Sequence, residues 1–175
     1  MLPARFTQST LRALDWLSAR FLPPDATAEH LLTGLRGEED AYFYLRRRGY
    51  TIIARNYRSP HHRGELDLVG WVKDKDGQNV LCFIEVKTRT TRAIKPAEVA
   101  VDRDKQDDLR RVAGDFLRHL PDSSPPASAR LSPHPIASRF DIIAVYYDRG
   151  FGHPTFELFQ NAFSLSYNRG LARPY

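Results

Sequence analysis

Three residues have the types and spacing for hydrolytic chemistry: Asp67 in "GELDLVG", and Glu85 and Lys87 in "FIEVKT". Each lies inside an apolar stretch, where an unpaired charge costs several kcal/mol, so such residues are paired, exposed or metal-bound. Side chains alternate across a strand, so Glu85 and Lys87 share one face while Cys82, Ile84 and Val86 share the other. The polar "KDKDGQN" between the two stretches reads as a turn with Asp76-Gly77 at its tip. Antiparallel pairing about that turn sets Asp67 close to opposite Glu85, and a one-residue slip would send it to the other face. Facing carboxylates repel, and a divalent cation between them removes that cost. Mg²⁺ prefers oxygen ligands and is held by one or two carboxylates plus waters and phosphate oxygens. With Lys87 one pleat along, the set has the parts needed to hydrolyse a phosphodiester. The same residues equally make a solvated strand face with a cross-strand salt bridge to Asp67, worth little. The three residues alone do not separate these readings.

The elements that must position them follow from periodicity. Leu11, Leu14, Leu17 and Phe21 in residues 9–22 predict a short amphipathic helix behind a Ser/Thr cap, ended by Pro23-Pro24 and followed by a linker to about residue 33. A second helix is expected over about 35–48, with Gly49 as its stop. Strands are expected at 50–58, 64–72 and 80–88, rich in β-branched and aromatic residues. A long helix follows Asp102, with Leu109, Val112, Ala113, Phe116, Leu117 and Leu120 as its buried stripe and Pro121 closing it. Residues 121–138 form a Pro/Ser-rich loop, "RFDIIAVYYD" is a strong strand and "TFELFQNAF" a weaker one. The fold class is α/β, a mixed central sheet flanked by helices. The division is an N-terminal helix and linker over 1–33 and one domain over 34–175.

Composition limits the function classes. The chain has 175 residues, 42% apolar and 27% charged, which suits one globular domain. Its net charge of +5 permits nucleic-acid binding without requiring it. Cys82 is the only cysteine, which excludes an internal disulfide and fits a reducing compartment. No apolar run is long enough to span a bilayer and the N-terminus does not read as a signal peptide, so a cytoplasmic protein is expected. His61-His62 lack the companions of a zinc site, Ser9, Ser132 and Cys82 lack a nucleophile signature, and there is no Gly-rich phosphate loop.

The series "RGEEDAYFYLRRRGYTIIARNYRS", "GELDLVG", "FIEVKTR", "AVDRDKQDDLRR" and "RFDIIAV" resembles the YraN family of uncharacterised bacterial proteins. The likeness runs from about Gly34 through Val145, with a weaker echo in "FQNAF". That family looks like a branch of the PD-(D/E)XK, or restriction-endonuclease-like, nuclease superfamily, similar in plan to archaeal Holliday-junction resolvases. The resemblance implies an αβββαβ core with Asp67 and Glu85 as metal ligands and Lys87 as the catalytic lysine. It further implies Glu38 as an accessory acid, and Lys105 and Gln106 as a pair contributing to the site from the second helix. Glu65 and Asp141 match motif carboxylates. The implied cofactor is Mg²⁺, with Mn²⁺ able to substitute, and the implied partner is DNA rather than RNA, branched or single-stranded DNA included. Phosphate contacts would come from Arg58, Arg63, Arg89 and Lys105, with Arg46, Arg47, Arg48, Arg55 and Arg92 nearby in sequence. Other readings stay open. Glu38 also suits a helix dipole, Asp102 a helix cap, and Asp141 an ion pair with Arg139 or Lys105. The N-terminal helix and the 121–138 loop depart from the family pattern, which leaves open a homodimer and a protein partner bound through that helix. DNA binding without catalysis, or protein interaction on the same fold, are the competing functions.

Overall fold

Helix α1 (Ala26–Arg47) leads into strands β1 (Thr51–Arg58), β2 (Glu65–Lys73) and β3 (Asn79–Arg89), then helix α2 (Arg103–Arg118) and strands β4 (Ser138–Tyr146) and β5 (Thr155–Phe163). The structure is a computed structural model that describes residues 26–90, 101–120, 126, 136–148 and 152–165. The strands lie in the order β1-β2-β3-β4-β5, with β3 and β4 parallel and the other neighbours antiparallel. A parallel pair needs a crossover, and α2 lies within it. The order is therefore αβββαβ plus one further strand, as the resemblance implied, on the mixed α/β sheet expected from the sequence. The expected N-terminal helix over 9–22 lies outside the described residues, as does most of the 121–138 loop.

The turn fixes the register. Lys73 pairs with Asn79 and Leu68 with Ile84, both centred on Asp76. Asp74 Oδ1 accepts from the Asp76 and Gln78 N–H groups at 2.9 and 2.8 Å, and Gly77 takes a φ of 77°. That φ suits glycine, so the tip residue is the one the turn requires.

Both faces of the central strands are covered. Cys82 and Ile84 pack with Leu68, Ile143 and Val145 beneath Ala41 and Leu45 of α1. Leu81 and Phe83 pack with Val69, Trp71, Phe140 and Ile142 beneath Leu109, Val112, Ala113 and Phe116 of α2. The alternation of side chains along β2 therefore does not divide a buried from a solvated face, because a helix lies on each side. Cys82 is a core residue as expected, but so is Phe83 on the opposite parity. Glu85 shares that second face and is only 6% exposed, which removes the solvated-face reading.

Helix α1 starts at Ala26 rather than near residue 35, so 26–33 belongs to a helix and not to a linker. "ATAEHLLT" contains neither glycine nor proline, and Gly34 and Gly37 read as breakers although a helix bears each at about 1 kcal/mol. Gly37 has a packing reason to be there. A Cβ at that position would collide with the Thr88 side chain, so the glycine lets α1 approach the end of β3.

Polar ties fix the periphery. Asp40 accepts from Tyr147 Oη at 2.7 Å, joining α1 to the chain after β4. Asp115 accepts from Ser59 Oγ at 2.6 Å, and Ser59 in turn accepts from the His61 and His62 N–H groups, so these histidines belong to a braced loop. Asp141 accepts from Arg139 at 2.9 Å, from Tyr50 Oη at 3.3 Å and from the Asn161 N–H at 2.9 Å. Of the two partners foreseen for Asp141, the structure chooses Arg139. Among the described residues, no helix is long and apolar enough to cross a membrane.

The Gly37 contact gives a test with an unusual sign. Alanine is intrinsically better than glycine in a helix by about 1 kcal/mol. Gly37→Ala should nonetheless destabilise the fold by about 1–3 kcal/mol in denaturant unfolding, the usual cost of overpacking. Adding Thr88→Ala should return part of that loss. A stabilised Gly37→Ala protein would remove the close-approach argument.

Candidate active site

Where β2 and β3 stop pairing, a backbone donor needs a partner. The Leu81 N–H donates to Ala137 O on the β4 side. N–H directions alternate along a strand, so the Val86 N–H points toward β2. The β2–β3 ladder ends at Leu68↔Ile84, and the Asp67 Oδ2 takes the Val86 N–H at 2.7 Å in place of a strand carbonyl. This contact brings Asp67, only 8% exposed, beside Glu85.

Glu85 has two unlike oxygens. Its Oε1 accepts from Lys87 Nζ at 2.8 Å and lies 3.4 Å from Lys105 Nζ. Its Oε2 is buried, with no hydrogen-bond partner among the described residues. Lys87 thus pairs with Glu85, not with Asp67 as the salt-bridge reading had it. Burial pushes the Asp67 carboxyl up to about 7, and the Glu85 charge adds to the shift. The Val86 N–H opposes it, Glu38 reinforces it and Lys105 relieves it.

Helix α1 supplies Glu38, whose Oε2 accepts from Asn56 Nδ2 at 2.7 Å. Asn56 sits in β1 with a φ of 49°, a left-handed conformation that asparagine tolerates better than most residues. Sequence reasoning missed both Asn56 and Gly37. The available signal was a poor strand former inside "TIIARNYR" and a glycine inside a helical run.

Helix α2 begins at the Asp102 cap, whose Oδ1 accepts from the Lys105 N–H at 2.8 Å. That places Lys105 in the first turn, with its ammonium near Glu85. Gln106 faces elsewhere: its amide donates to Val101 O at 3.0 Å and accepts from Arg110 at 3.3 Å, which braces the start of the helix. At the surface Arg58 pairs with Glu65 at 2.7 Å, and Arg63 is exposed in the loop between β1 and β2. Arg89 Nη1 donates to Thr88 O at 3.0 Å while its Nε is buried. The structure therefore gathers Asp67, Glu85, Lys87, Lys105 and Glu38, and engages Gln106, Glu65 and Asp141 with other partners.

The donor set fits one kind of ion. Among the described residues no three His, Cys, Asp or Glu side chains are grouped as a metal cage, so a closed zinc-type centre does not fit. Mg²⁺ needs only one or two carboxylates and leaves its other positions to water and phosphate. Asp67 and Glu85 supply hard oxygen donors, and the buried Glu85 Oε2 has no competing donor among the described residues. A cation there would also offset the Glu85 repulsion that adds to the effect of burial on the Asp67 pKa.

The raised Asp67 pKa has a definite consequence for stability. The unfolded carboxyl ionises near 3.8 and the folded one near 7, so the unfolded chain loses this proton first as pH rises. The stabilising contribution is fully present below 3.8 and is lost as pH climbs through about 7. In EDTA, Asp67→Asn should melt progressively higher than the parent between about pH 4 and pH 8, by a few kcal/mol at most. Mg²⁺ at about pH 8 should raise the parent's melting point more than the variant's. A gap that stays constant across this range would contradict the assignment.

Residues 37–145 match the uncharacterised protein family UPF0102. The chain is 48% identical to a UPF0102 protein of Koribacter versatilis over 161 residues, covering 92% of this chain and 96% of the relative. It is 40% identical to a UPF0102 protein of Solibacter usitatus, covering 77% and 84% of the two chains. A UPF0102 protein of Chlorobaculum tepidum is 39% identical, with 64% and 73% covered. No solved structure gives a significant match. The matched span begins at the glycine under Thr88, ends within β4, and contains all five gathered side chains. On this extent of likeness, the chain belongs to the uncharacterised protein family UPF0102, the YraN family.

Proposed function

We propose that the chain is a divalent-metal-dependent nuclease that hydrolyses DNA phosphodiester bonds. The observation that carries this reading is the buried Oε2 of Glu85, without a hydrogen-bond partner among the described residues, on a carboxylate beside Asp67. A carboxylate oxygen withdrawn from water with no donor is costly, and a cation shared with Asp67 removes the cost. Asp67 and Glu85 would hold Mg²⁺, or Mn²⁺ in its place. The ion, when bound, supplies Lewis-acid polarisation of a phosphate oxygen.

The chain's own groups do the rest. Lys87 holds its ammonium 2.8 Å from Glu85 Oε1, where it can offset charge that develops on the reacting phosphate. Lys105 adds a second positive charge from the start of α2. Asn56 holds Glu38, whose negative field favours a cation at Asp67. Arg58 and Arg63 stand on the surface for phosphate contact, and the absence of a base-reading motif in the sequence favours recognition of backbone or shape.

A second reading, DNA binding without hydrolysis, is favoured by the placement of both ammonium groups at Glu85 Oε1, which neutralises much of the site without an ion. A cleavage panel separates the two: single-stranded, duplex, flap and four-way DNA with Mg²⁺ and with Mn²⁺. The parent should cleave at least one substrate and lose activity in EDTA. Glu85→Gln and Lys87→Met should each lower the rate by about 10²–10³-fold or more. Activity undiminished in both variants would reject the assignment. Salt-dependent binding by a parent that cleaves nothing would select the second reading.

A further inference from the structure

We propose that the cavity beside Lys87 seats a backbone phosphate of an unpaired nucleotide strand, with Arg89 as its receptor. This rests on the nuclease reading and adds the substrate class. The starting point is a difference among the arginines. Arg110, Arg118 and Arg139 each have a carboxylate at 2.7 to 2.9 Å, on Asp107, Asp115 and Asp141 respectively. Among the described residues, Arg89 has only the neutral Thr88 carbonyl oxygen, and its buried Nε donates to nothing. A guanidinium keeps its proton under all ordinary conditions, so a partly desolvated one without a carboxylate calls for another anion.

The surroundings define that anion. A cavity of about 440 Å³ opens between α1 and the end of β3, with Gly34, Glu38, Lys87, Thr88, Arg89 and Thr90 in its lining. Its lining residues carry a guanidinium, an ammonium and, with Thr33, three hydroxyls, groups able to donate to phosphate oxygens. By the alternation that aims the Val86 N–H at Asp67, the Thr88 N–H also points to the edge that β2 has left. Glu38, held by Asn56, makes the α1 side repulsive to an anion and directs it to the β3 side.

Size and composition set the rest. The volume suits a nucleotide-sized group, so a nucleotide that enters the cavity does so without a paired partner. Among the described residues no aromatic side chain lines the cavity, so it offers no stacking platform and would read the backbone without base preference. Lys87 borders both this cavity and Glu85. A phosphate on Arg89 would therefore be a neighbour of the one being cleaved, and the strand reaching Lys87 must be unpaired there.

Binding measured in EDTA isolates this inference from hydrolysis. The full chain would be titrated with a fluorescent oligothymidylate and with a blunt-ended hairpin duplex lacking unpaired ends. The parent should bind oligothymidylate more tightly than the duplex. Arg89→Met should weaken oligothymidylate binding by about tenfold or more, with the slope of log affinity against log salt reduced by about 0.7. Arg89→Lys, which keeps the charge and loses the fork, should fall between them and covers the case in which Arg89→Met does not fold. Unchanged affinity in Arg89→Lys, with unchanged affinity and salt slope in any folded Arg89→Met, would overturn the proposal, as would preference of the parent for the blunt duplex. A parent that shows these binding differences but cleaves nothing with Mg²⁺ would leave this inference standing and remove the nuclease reading. A parent that cleaves while its Arg89 variants bind unchanged would do the reverse.

Discussion

The site depends on one hydrogen bond, from the Val86 N–H to the Asp67 carboxylate. β2 and β3 leave each other after Leu68↔Ile84, and the half-buried backbone donor at that point calls for a partner. By accepting it, Asp67 replaces the next rung of the ladder and is fixed beside Glu85. The bond favours a charged carboxylate, but burial and the Glu85 charge oppose that more strongly. The result is two acids whose proximity is enforced by the fold and whose charges the fold does not fully compensate. Lys87 and Lys105 address one oxygen of Glu85, and the other has no hydrogen-bond partner among the described residues.

This imbalance needs a rigid frame, and the sheet provides it. Phe83 and Leu81 anchor β3 in the core under α2, just before the strand emerges with Glu85 and Lys87. On the other face α1 comes close enough at Gly37 to touch Thr88, which positions the strand's last residues against Glu38. The Asp102 cap fixes the start of α2, so that Lys105 reaches across to the same carboxylate. Each helix thus contributes one charged residue to a centre built at the end of the β2–β3 hairpin.

Much of this was legible in the sequence because it is local. The Asp76-Gly77 turn fixed a register by simple counting, and that register set Asp67 against Glu85. The Leu109, Val112, Ala113 and Phe116 stripe read as a buried helix face and is one. What was not legible depends on contacts between distant segments. "ATAEHLLT" looked like a linker because Gly34 and Gly37 read as a boundary, and the reason for Gly37 is a threonine in another element. Gln106 looked equivalent to Lys105, yet successive helix positions point in different directions and its amide turns to Val101 and Arg110. Asn56 carried no chemical signature until Glu38 was seen beside it.

The central claim is that Asp67 and Glu85 share a divalent cation. Crystals soaked with Mn²⁺ and measured at the manganese absorption edge test it without reference to any substrate. The account predicts an anomalous peak between the two carboxylates, within coordination distance of Asp67 and of Glu85 Oε2. A well-diffracting soaked crystal with Lys87 and Lys105 still closed on Glu85 and no peak at that position would contradict it.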